Sequence, residues 1–300
     1  MKRTLKWIGI LLAGLVVVIV VIALVGYFAS ERRINKTYAV AVEPLAVPTD
    51  AASVEEGHRL TLIRGCVDCH GTDYGGAILL EDPVIGHIYG ANLTTGQGGV
   101  TAGWSAEDWA RALRNGVAPD GHAVLMMPSV EYSGLSDEEV GRIIAYLRSV
   151  PPVDRVLPES SLGPMARALL VANQEPPLLS AEVIDHANRP PKSVVTEASA
   201  AYGAYQVTTC TGCHGKNLGG GTVPFSPPDK PKAANLTPGG DLSHWTLDEF
   251  KNTLRTGMTP EGRQLDPQDM PWPLTAQMTD VELEALWLYF QSLPPVTTEQ

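Results

Sequence analysis

Two short stretches of this chain share one pattern, Cys66-Val67-Asp68-Cys69-His70 and Cys210-Thr211-Gly212-Cys213-His214. Together they contain all four cysteines of the 300 residues. Two thiols at this spacing can add to the two vinyl groups of one porphyrin, and the adjacent histidine can then ligate the iron. The pattern is typical of covalent haem attachment, and its duplication predicts two covalently bound haem c groups.

Three other uses of paired cysteines fit the sequence less well. A structural zinc site needs two Cys-x-x-Cys pairs about 15 to 20 residues apart, whereas these pairs lie 144 residues apart. A thioredoxin-like dithiol needs alternating strands and helices, which the sequence does not show, and it does not need the histidine. Disulfides would account for an even number of cysteines but not for the repeated His-Gly.

Both motifs belong to a longer internal repeat. Residues of the first copy recur in the same order 141 to 144 positions later, with small changes of offset in the loops. The matched pairs include Asn92 with Asn235, Trp104 with Trp245, Arg114 with Arg255, Gly116 with Gly257, Met127-Pro128 with Met270-Pro271, and Pro151-Pro152 with Pro294-Pro295. A repeat of about 100 residues has the size of one domain, so the sequence predicts two copies of a single domain.

Each copy contains the same three predicted helices. The first helix, at 54–64 or 197–208, ends at the cysteine motif. Capping boxes mark the starts of the other two helices, at Ser105 with Asp108, Ser136 with Glu139, Thr246 with Glu249, and Thr279 with Glu282. Since no convincing alternating strand is present, the prediction is an all-α fold, with about three to five short helices around the haem of each domain.

Met127 and Met270 are the candidates for the sixth ligand of each iron. They pair in the repeat, a proline follows each, and they lie 57 and 56 residues after the motif histidines. His/Met ligation would raise the reduction potential and leave no open position on the iron. Methionine also packs in small helical cores. The candidates that do not pair are Met126, His58, His87, His122, His244, Met258 and Met278.

Three more repeated pairs have two open interpretations each. The arginines can bind haem propionates or lie in solvent near a helix end. The tryptophans can donate to a propionate or pack before a helix start. The asparagines can fix a loop at the haem edge or form a turn. The pairs are Arg114 and Arg255, Trp104 and Trp245, and Asn92 and Asn235.

The N-terminal segment is predicted to be a membrane anchor. Residues 7–28 carry no charge, and a helix of this length spans about 33 Å, enough for the hydrocarbon core of a bilayer. For cleavage after Ala29 or Ser30, the stretch Tyr27-Phe28-Ala29-Ser30 places an aromatic residue at the -3 position, where a signal-peptide cleavage site has a small one. We therefore expect one uncleaved transmembrane helix. Basic residues lie on both sides of it, so the charge pattern does not set its orientation.

The chain thus divides into six segments: anchor 1–36, tether 37–53, domain 1 at 54–152, a proline-rich connector at 153–196, domain 2 at 197–296 and tail 297–300. The tether is expected to be extended. The connector should contain one short helix over 165–172, started by Pro164 and packed in the groove between the domains.

The net charge of -11 comes from the two domains. Domain 1 with residues 50–53 has six Lys/Arg against fourteen Asp/Glu, and residues 197–300 have six against twelve, whereas residues 1–49 have six against two. This balance argues against a nucleic-acid partner bound through its phosphates.

With these residues assigned, the chain resembles the cytochrome c family, class I type, in duplicate. Runs such as Gly90-Ala91-Asn92-Leu93-Thr94 and Leu113-Arg114-Asn115-Gly116-Val117 are similar to the cytochrome c subunits of bacterial membrane-bound alcohol and gluconate dehydrogenases. The resemblance covers 54–152 and 198–296. Those subunits commonly carry three haem domains, whereas this sequence shows two. The resemblance implies haem attachment by Cys66, Cys69, Cys210 and Cys213 and axial ligation by His70, Met127, His214 and Met270.

The function expected from these features is single-electron transfer by a membrane-anchored dihaem cytochrome. Its haem domains would lie on the periplasmic side of a bacterial cytoplasmic membrane, between a dehydrogenase or quinol-oxidising complex and a downstream carrier or oxidase. Its expected partners are these redox proteins, and membrane lipid through the anchor. Two alternatives stay open: a dihaem subunit of a haem-copper oxidase or other respiratory complex, and a dihaem enzyme of the peroxidase or thiosulfate dehydrogenase type.

Overall fold

The computed structural model describes residues 2–173, 177–224, 226–227 and 229–298. It begins with a long helix, α1 (Lys2–Ile34), whose apolar residues are exposed. Within the described ranges, α1 is the one helix long and apolar enough to cross a membrane. By length and composition, it therefore fits the predicted anchor.

The described residues also form two helical domains, each with five helices in the same order. Domain 1 contains α2 (Ala51–Ile63), α3 (Cys66–His70), α4 (Ala106–Asn115), α5 (Ser129–Tyr132) and α6 (Asp137–Ser149). A connector helix follows, α7 (Pro164–Val171). Domain 2 contains α8 (Ala200–Gln206), α9 (Thr211–His214), α10 (Leu247–Thr256), α11 (Trp272–Thr275) and α12 (Asp280–Ser292). Single 3₁₀ turns lie at Ser180–Glu182, Val207–Cys210 and Asp241–Ser243.

The predicted absence of strands is wrong. Domain 1 contains a hairpin of β1 (Ala77–Asp82) and β2 (Gly86–Gly90), and a third strand from the connector, β3 (Ser161–Leu162), pairs with β2. Strand β1 could not be recognised from the sequence because it lacks the alternation of apolar and polar residues that marks a half-buried strand. Its apolar residues Ile78 and Leu79 are adjacent, and both are exposed.

The corresponding loop of domain 2 has almost the same length but forms a single described bridge, between Gly221 and Ala233. This loop carries four prolines, Pro224, Pro227, Pro228 and Pro231. Proline cannot donate a ladder hydrogen bond, which explains why the two copies differ here.

Helix capping follows the prediction at three of the four predicted boxes. Both bonds of the box form at Ser105, Thr246 and Thr279. At α6 the box is half formed, because Ser136 accepts from the backbone N–H of Glu139 but the carboxylate of Glu139 points elsewhere. It binds Arg64 and Tyr205 instead.

The first and last helices of each domain cross at a glycine. A Cβ atom on Gly57 in α2 would lie 2.0 Å from the carbonyl oxygen of Arg142 in α6, and a Cβ on Gly203 in α8 would lie 2.0 Å from the carbonyl oxygen of Ala285 in α12. Because no real Cβ tolerates this distance, the crossing requires glycine. The two glycines are therefore equivalent positions of the repeat. They lie 146 residues apart, so the offset within the first helix is 146.

We expect Gly57→Ala to destabilise the protein by about 1–3 kcal/mol, since a methyl group would force two backbones apart. Alanine otherwise favours a helix over glycine by about 1 kcal/mol, so destabilisation would identify the crossing as the cause. Denaturant unfolding followed by circular dichroism measures the change. Gly134→Ala is the control, because a Cβ at Gly134 meets nothing within 4 Å. Equal stability of the two variants would contradict the prediction.

The two domains share one buried cluster of apolar side chains and one buried polar network. At the centre of the network lies Arg64, directly after α2. Its Nε donates to Glu139 (2.7 Å), its Nη2 donates to the side chain of Gln206 (2.9 Å), and its Nη1 donates to the backbone carbonyl of Gln206 (3.3 Å). Burial alone would lower the pKa of the Arg64 guanidinium, but the negative charge of Glu139 and its hydrogen bond raise the pKa of Arg64 above its usual value. One arginine of domain 1 thus holds the last helix of its own domain and the first helix of the other.

Replacing Arg64 by methionine should cost about 3–5 kcal/mol of unfolding free energy, because it leaves the carboxylate of Glu139 buried without its ion-pair partner. Denaturant titration of the full chain measures the loss. The control is Arg142→Met, which breaks the more exposed pair of Arg142 with Glu138 four residues earlier and should cost about 0.5 kcal/mol. If the two substitutions cost the same, Arg64 does not hold the interface.

The connector helix starts at Pro164, as predicted, but it does not lie in the groove between the domains. It packs against α1 and β3. Together with the hairpin it forms a second buried cluster, against which Ile34 at the end of α1 packs. The predicted burial site is wrong because the apolar face of α7 finds its partner in the end of the anchor helix.

The tether segment, 37–53, lies along domain 1. Thr37 forms a bridge with His122, and Val42, Leu45 and Val47 pack against the shared cluster. Most of the segment has no regular secondary structure, although its last residues begin α2. It therefore joins α1 to domain 1 over a packed path.

Candidate functional site

Each cysteine motif forms a single helical turn. Cys66, Cys69 and His70 lie on α3, and positions three and four apart on a helix face the same side. In domain 2 a 3₁₀ turn ending at Cys210 leads into α9, which carries Cys213 and His214. The local fold therefore presents both thiols and the imidazole of each motif to one common space.

The four cysteines form no disulfide. Burial raises the pKa of the Cys66 thiol to about 12, with a smaller contribution from Cys69, and burial likewise raises the pKa of Cys210 to about 12. Reactive redox cysteines have lowered pKa values, so these thiols do not suit dithiol exchange.

Both motif histidines are held in one tautomer. The Nδ1 of His70 lies 2.8 Å from the carbonyl oxygen of Ala91, and the Nδ1 of His214 lies 2.7 Å from that of Ala234. A carbonyl only accepts, so Nδ1 carries the proton and Nε2 keeps its lone pair. Burial lowers the pKa of each imidazole, which keeps it neutral. A neutral histidine fixed through its other nitrogen is the usual form of a metal ligand.

The loop that supplies this carbonyl is fixed by the repeated asparagine. Asn92 donates to the carbonyl of Val153 (2.7 Å) and accepts from the backbone N–H of Thr94 (2.9 Å). Asn235 makes the equivalent bonds, to Val296 (2.8 Å) and Thr237 (2.9 Å). Both expectations for the asparagines, a turn and a fixed loop, therefore hold in one arrangement.

The backbone carbonyls of Ala91 and Ala234 are the site groups that sequence reasoning missed. A backbone carbonyl has no signature of its own. The signal that could have found it is the Asn-Leu-Thr run, which begins 22 residues after His70 and 21 after His214.

Met127 and Met270 occupy equivalent positions at the start of a short helix. The carbonyl of Met127 accepts from the backbone N–H of Ser129 (2.8 Å), and that of Met270 accepts from the backbone N–H of Trp272 (2.7 Å). Pro128 and Pro271, which follow them, occupy the N-cap positions of α5 and α11. Both methionines are half-buried, and Met127 packs against the shared cluster. Their assignment as axial ligands stays a prediction that this equivalence supports.

The candidates that do not pair lie in unrelated surroundings. His58 stacks on Tyr146, His122 pairs with Asp120, and His87 lies in strand β2. Met278 is buried in the shared cluster, whereas Met126 and Met258 are exposed. His244 ends a 3₁₀ turn. No two of these side chains occupy matching positions in the two domains.

The surroundings of Arg114 bear on whether the first site fits a haem. Its side chain is 6% exposed and its Nη1 donates to Asp137 (2.8 Å), yet its Nε and Nη2 have no partner. These two N–H groups form the fork that binds a carboxylate in bidentate fashion. A buried cation with an unused fork fits a haem propionate. Arg255 binds the equivalent Asp280 (2.5 Å) but is 39% exposed, so the environments of the two arginines differ.

The two tryptophans favour the packing interpretation. Trp104 packs edge-on against Trp109, with ring centroids 5.5 Å apart. The indole N–H of Trp245 donates to Glu261 (3.0 Å).

The two motif regions are neighbours across the domain interface. Helix α5, which follows Met127-Pro128, packs on the 3₁₀ turn that ends at Cys210. A carboxyl oxygen of Glu131 on α5 lies 2.7 Å from where a Cβ atom of Gly212 would be, inside the second cysteine motif. Burial raises the pKa of Glu131 to about 7. The sixth-ligand segment of the first site therefore contacts the cysteine turn of the second.

This fold and these sites define a two-domain helical protein in which each domain carries a Cys-x-x-Cys-His turn with a fixed histidine. The family model described as cytochrome c matches residues 54–151 and 198–294, about two thirds of the chain. The chain belongs to the cytochrome c family. This family binds haem c covalently through its Cys-x-x-Cys-His motif, and the fixed histidines and the fork of Arg114 fit that cofactor.

The chain is also similar to cytochrome subunits of dehydrogenases. It is 25% identical to the fructose dehydrogenase cytochrome subunit of Gluconobacter japonicus, over 85% of this chain and 56% of that protein. It is 27% identical to the alcohol dehydrogenase (quinone) cytochrome c subunit of Gluconobacter oxydans (89% and 62%) and 26% identical to the gluconate 2-dehydrogenase cytochrome c subunit of Pantoea cypripedii (81% and 60%). The chain thus spans about six tenths of the length of these relatives. The resemblance to such subunits is confirmed.

If Met127 and Met270 are the sixth ligands, replacing either by alanine should remove about half of the Met–iron charge-transfer absorption of the oxidised protein and lower one of its two reduction potentials. Absorption spectra and a redox titration measure these changes. Met126→Ala and Met258→Ala are matched controls, since both side chains are exposed. An unchanged band in Met127→Ala together with a loss in a control variant would reassign the ligand.

Proposed function

We propose that this protein is a membrane-anchored dihaem c-type cytochrome that passes single electrons from a membrane or periplasmic dehydrogenase, or a quinol-oxidising complex, to a downstream carrier or oxidase. The observation that carries this proposal is the duplicated site: a Cys-x-x-Cys-His turn whose histidine is fixed through Nδ1, with a Met-Pro segment at an equivalent place in each domain. Haem c supplies the reversible one-electron Fe(III)/Fe(II) couple.

The residues of the chain then act by position and charge. His70 and His214 present Nε2 toward the cofactor, because their Nδ1 protons are donated to carbonyls. Met127 and Met270 would ligate the iron and leave no open position for a substrate. Arg114 neutralises a propionate in a buried setting. Contact between α5 and the second cysteine turn keeps the two sites close, as electron transfer between them requires.

The proposed partner and location follow from the relatives and from α1. The relatives are named as cytochrome subunits of dehydrogenases, which supports a dehydrogenase as electron donor. An apolar helix at the N-terminus supports anchoring in a membrane. We place both domains on the periplasmic side of the cytoplasmic membrane because the proposed redox partners act there. The acidic domains favour docking of partners with basic surfaces.

The full chain, matured with haem, should contain two covalent haems, and a pyridine haemochrome assay against protein concentration counts them. Replacing Cys66 and Cys69 together by alanine should leave one haem, and so should replacing Cys210 and Cys213.

The reduced wild-type protein should bind carbon monoxide poorly, because both irons have six ligands. Purification in mild detergent should recover a dehydrogenase subunit with the chain.

A count of one haem per wild-type chain would overturn the dihaem proposal. Rapid binding of carbon monoxide to either reduced haem would indicate an open iron position and favour a dihaem enzyme. Recovery with haem-copper oxidase subunits instead of a dehydrogenase would place the chain in an oxidase complex. The Gly134→Ala variant serves as the matched control for all three measurements, since it alters no site residue.

A further inference from the structure

Domain 1 and the connector together expose a small apolar surface near the end of α1. It consists of Val84 and Ile85, in the turn between β1 and β2, and Met165 at the start of α7. We call these three residues the hairpin tip. Their exposed fractions are 48%, 40% and 51%.

The hairpin tip is a fixed unit. The backbone N–H of Gly163 donates to the carbonyl of Ile85 (2.8 Å), and that of Met165 donates to the carbonyl of Val84 (3.0 Å). These bonds tie the turn to the first residues of α7. The tip therefore moves with α7 and not as a free loop.

Helix α7 lies beside the end of α1. Arg167 donates to the hydroxyl of Ser30 (2.9 Å) and pairs with Glu31 (2.7 Å), and its guanidinium lies 4.7 Å from the ring centre of Tyr27. Further along, the carbonyl of Leu170 accepts from Arg33.

These contacts give the direction of α7. Along the axis of α1, Arg167 contacts residues 27–31, and Leu170 contacts Arg33, which is further toward the end of α1. Helix α7 therefore runs in the same direction as α1. The start of α7 therefore points back toward Phe28, where the uncharged stretch of α1 ends. Met165 lies two residues before Arg167, about 3 Å further in that direction. The tip, bonded to the start of α7, lies at the level where α1 would leave a bilayer.

The turn is also suited to a poorly hydrated setting. The side chain of Asp82 accepts from the backbone N–H groups of Val84 (2.8 Å) and Ile85 (2.7 Å). A turn that enters the membrane boundary must satisfy its backbone N–H groups internally. Hydrogen bonds from these N–H groups lower the pKa of Asp82.

We propose that the hairpin tip inserts into the boundary between headgroups and acyl chains of the membrane that holds α1. Domain 1 is then held to the bilayer at two places and has one orientation relative to it. This inference rests on the proposed membrane anchor. The occupant of the surface is lipid, because the surface lies beside the end of the spanning helix.

The test uses the full haem-loaded chain in vesicles of phosphatidylethanolamine and phosphatidylglycerol. Because the four native cysteines carry haem, Ile85→Cys adds one free thiol for an environment-sensitive fluorophore. Lipids with a nitroxide near the headgroup should quench most of the fluorescence of the label at position 85. Met165→Cys gives a second, independent position if the first variant folds poorly. The unsubstituted chain reports background labelling.

Two further label positions separate failure of the inference from failure of the anchor. Val195→Cys lies in the connector at a residue that is 72% exposed, and its label should not be quenched. Ile19→Cys lies within the span, and its label should be quenched by a nitroxide deep in the acyl chains. These two positions calibrate the exposed and the buried limits.

If the label at position 19 is quenched but those at positions 85 and 165 are not, the inference on the hairpin tip is wrong and the membrane anchor is supported. No quenching at 19 would overturn the anchor and the inference with it. Protection of the label at 85 that appears only when a dehydrogenase is bound would assign the hairpin tip to a protein partner and overturn the lipid assignment.

Discussion

In each domain the first helix crosses the last at a glycine, Gly57 or Gly203, and the other parts of the domain depend on this contact. The missing Cβ lets the first helix lie directly on the last. The cysteine motif follows the first helix without a loop, so the crossing places the two thiols and the histidine against the domain core. Since a few short helices bury little apolar surface alone, this close contact is a main source of packing in each domain.

The same helices also join the two domains. Arg64 follows α2 immediately, and the crossing with α6 brings it to Glu139. From there it reaches Gln206 at the end of α8. The residue that ends the first helix of one domain thus binds the first helix of the other, and a single apolar cluster runs through both. The position of one cofactor site relative to the other is therefore set by the helices that build each site.

Most features that occur in both domains could be predicted from the sequence, whereas those that occur in one domain could not. The helices, most capping boxes and the paired site residues follow from local patterns that occur twice. The hairpin does not, because Ile78 and Leu79 face solvent and break the strand pattern. The capping role of Glu139 also fails, since a tertiary partner, Arg64, competes for its carboxylate. The carbonyls that fix His70 and His214 come from residues whose identity carries no chemical signal.

The way in which domain 1 joins α1 bears on what kind of electron carrier this chain is. A carrier that swings between partners needs a flexible linker. Here the segment 37–53 packs along domain 1, Arg167 binds the end of α1, and Ile34 packs against a buried cluster of the connector and hairpin. Domain 2 is fixed in turn through Arg64. The two sites and the anchor helix therefore form one connected body, which favours a stationary relay over a mobile shuttle, and a stationary relay requires its donor and acceptor to dock on surfaces that the fold holds in place.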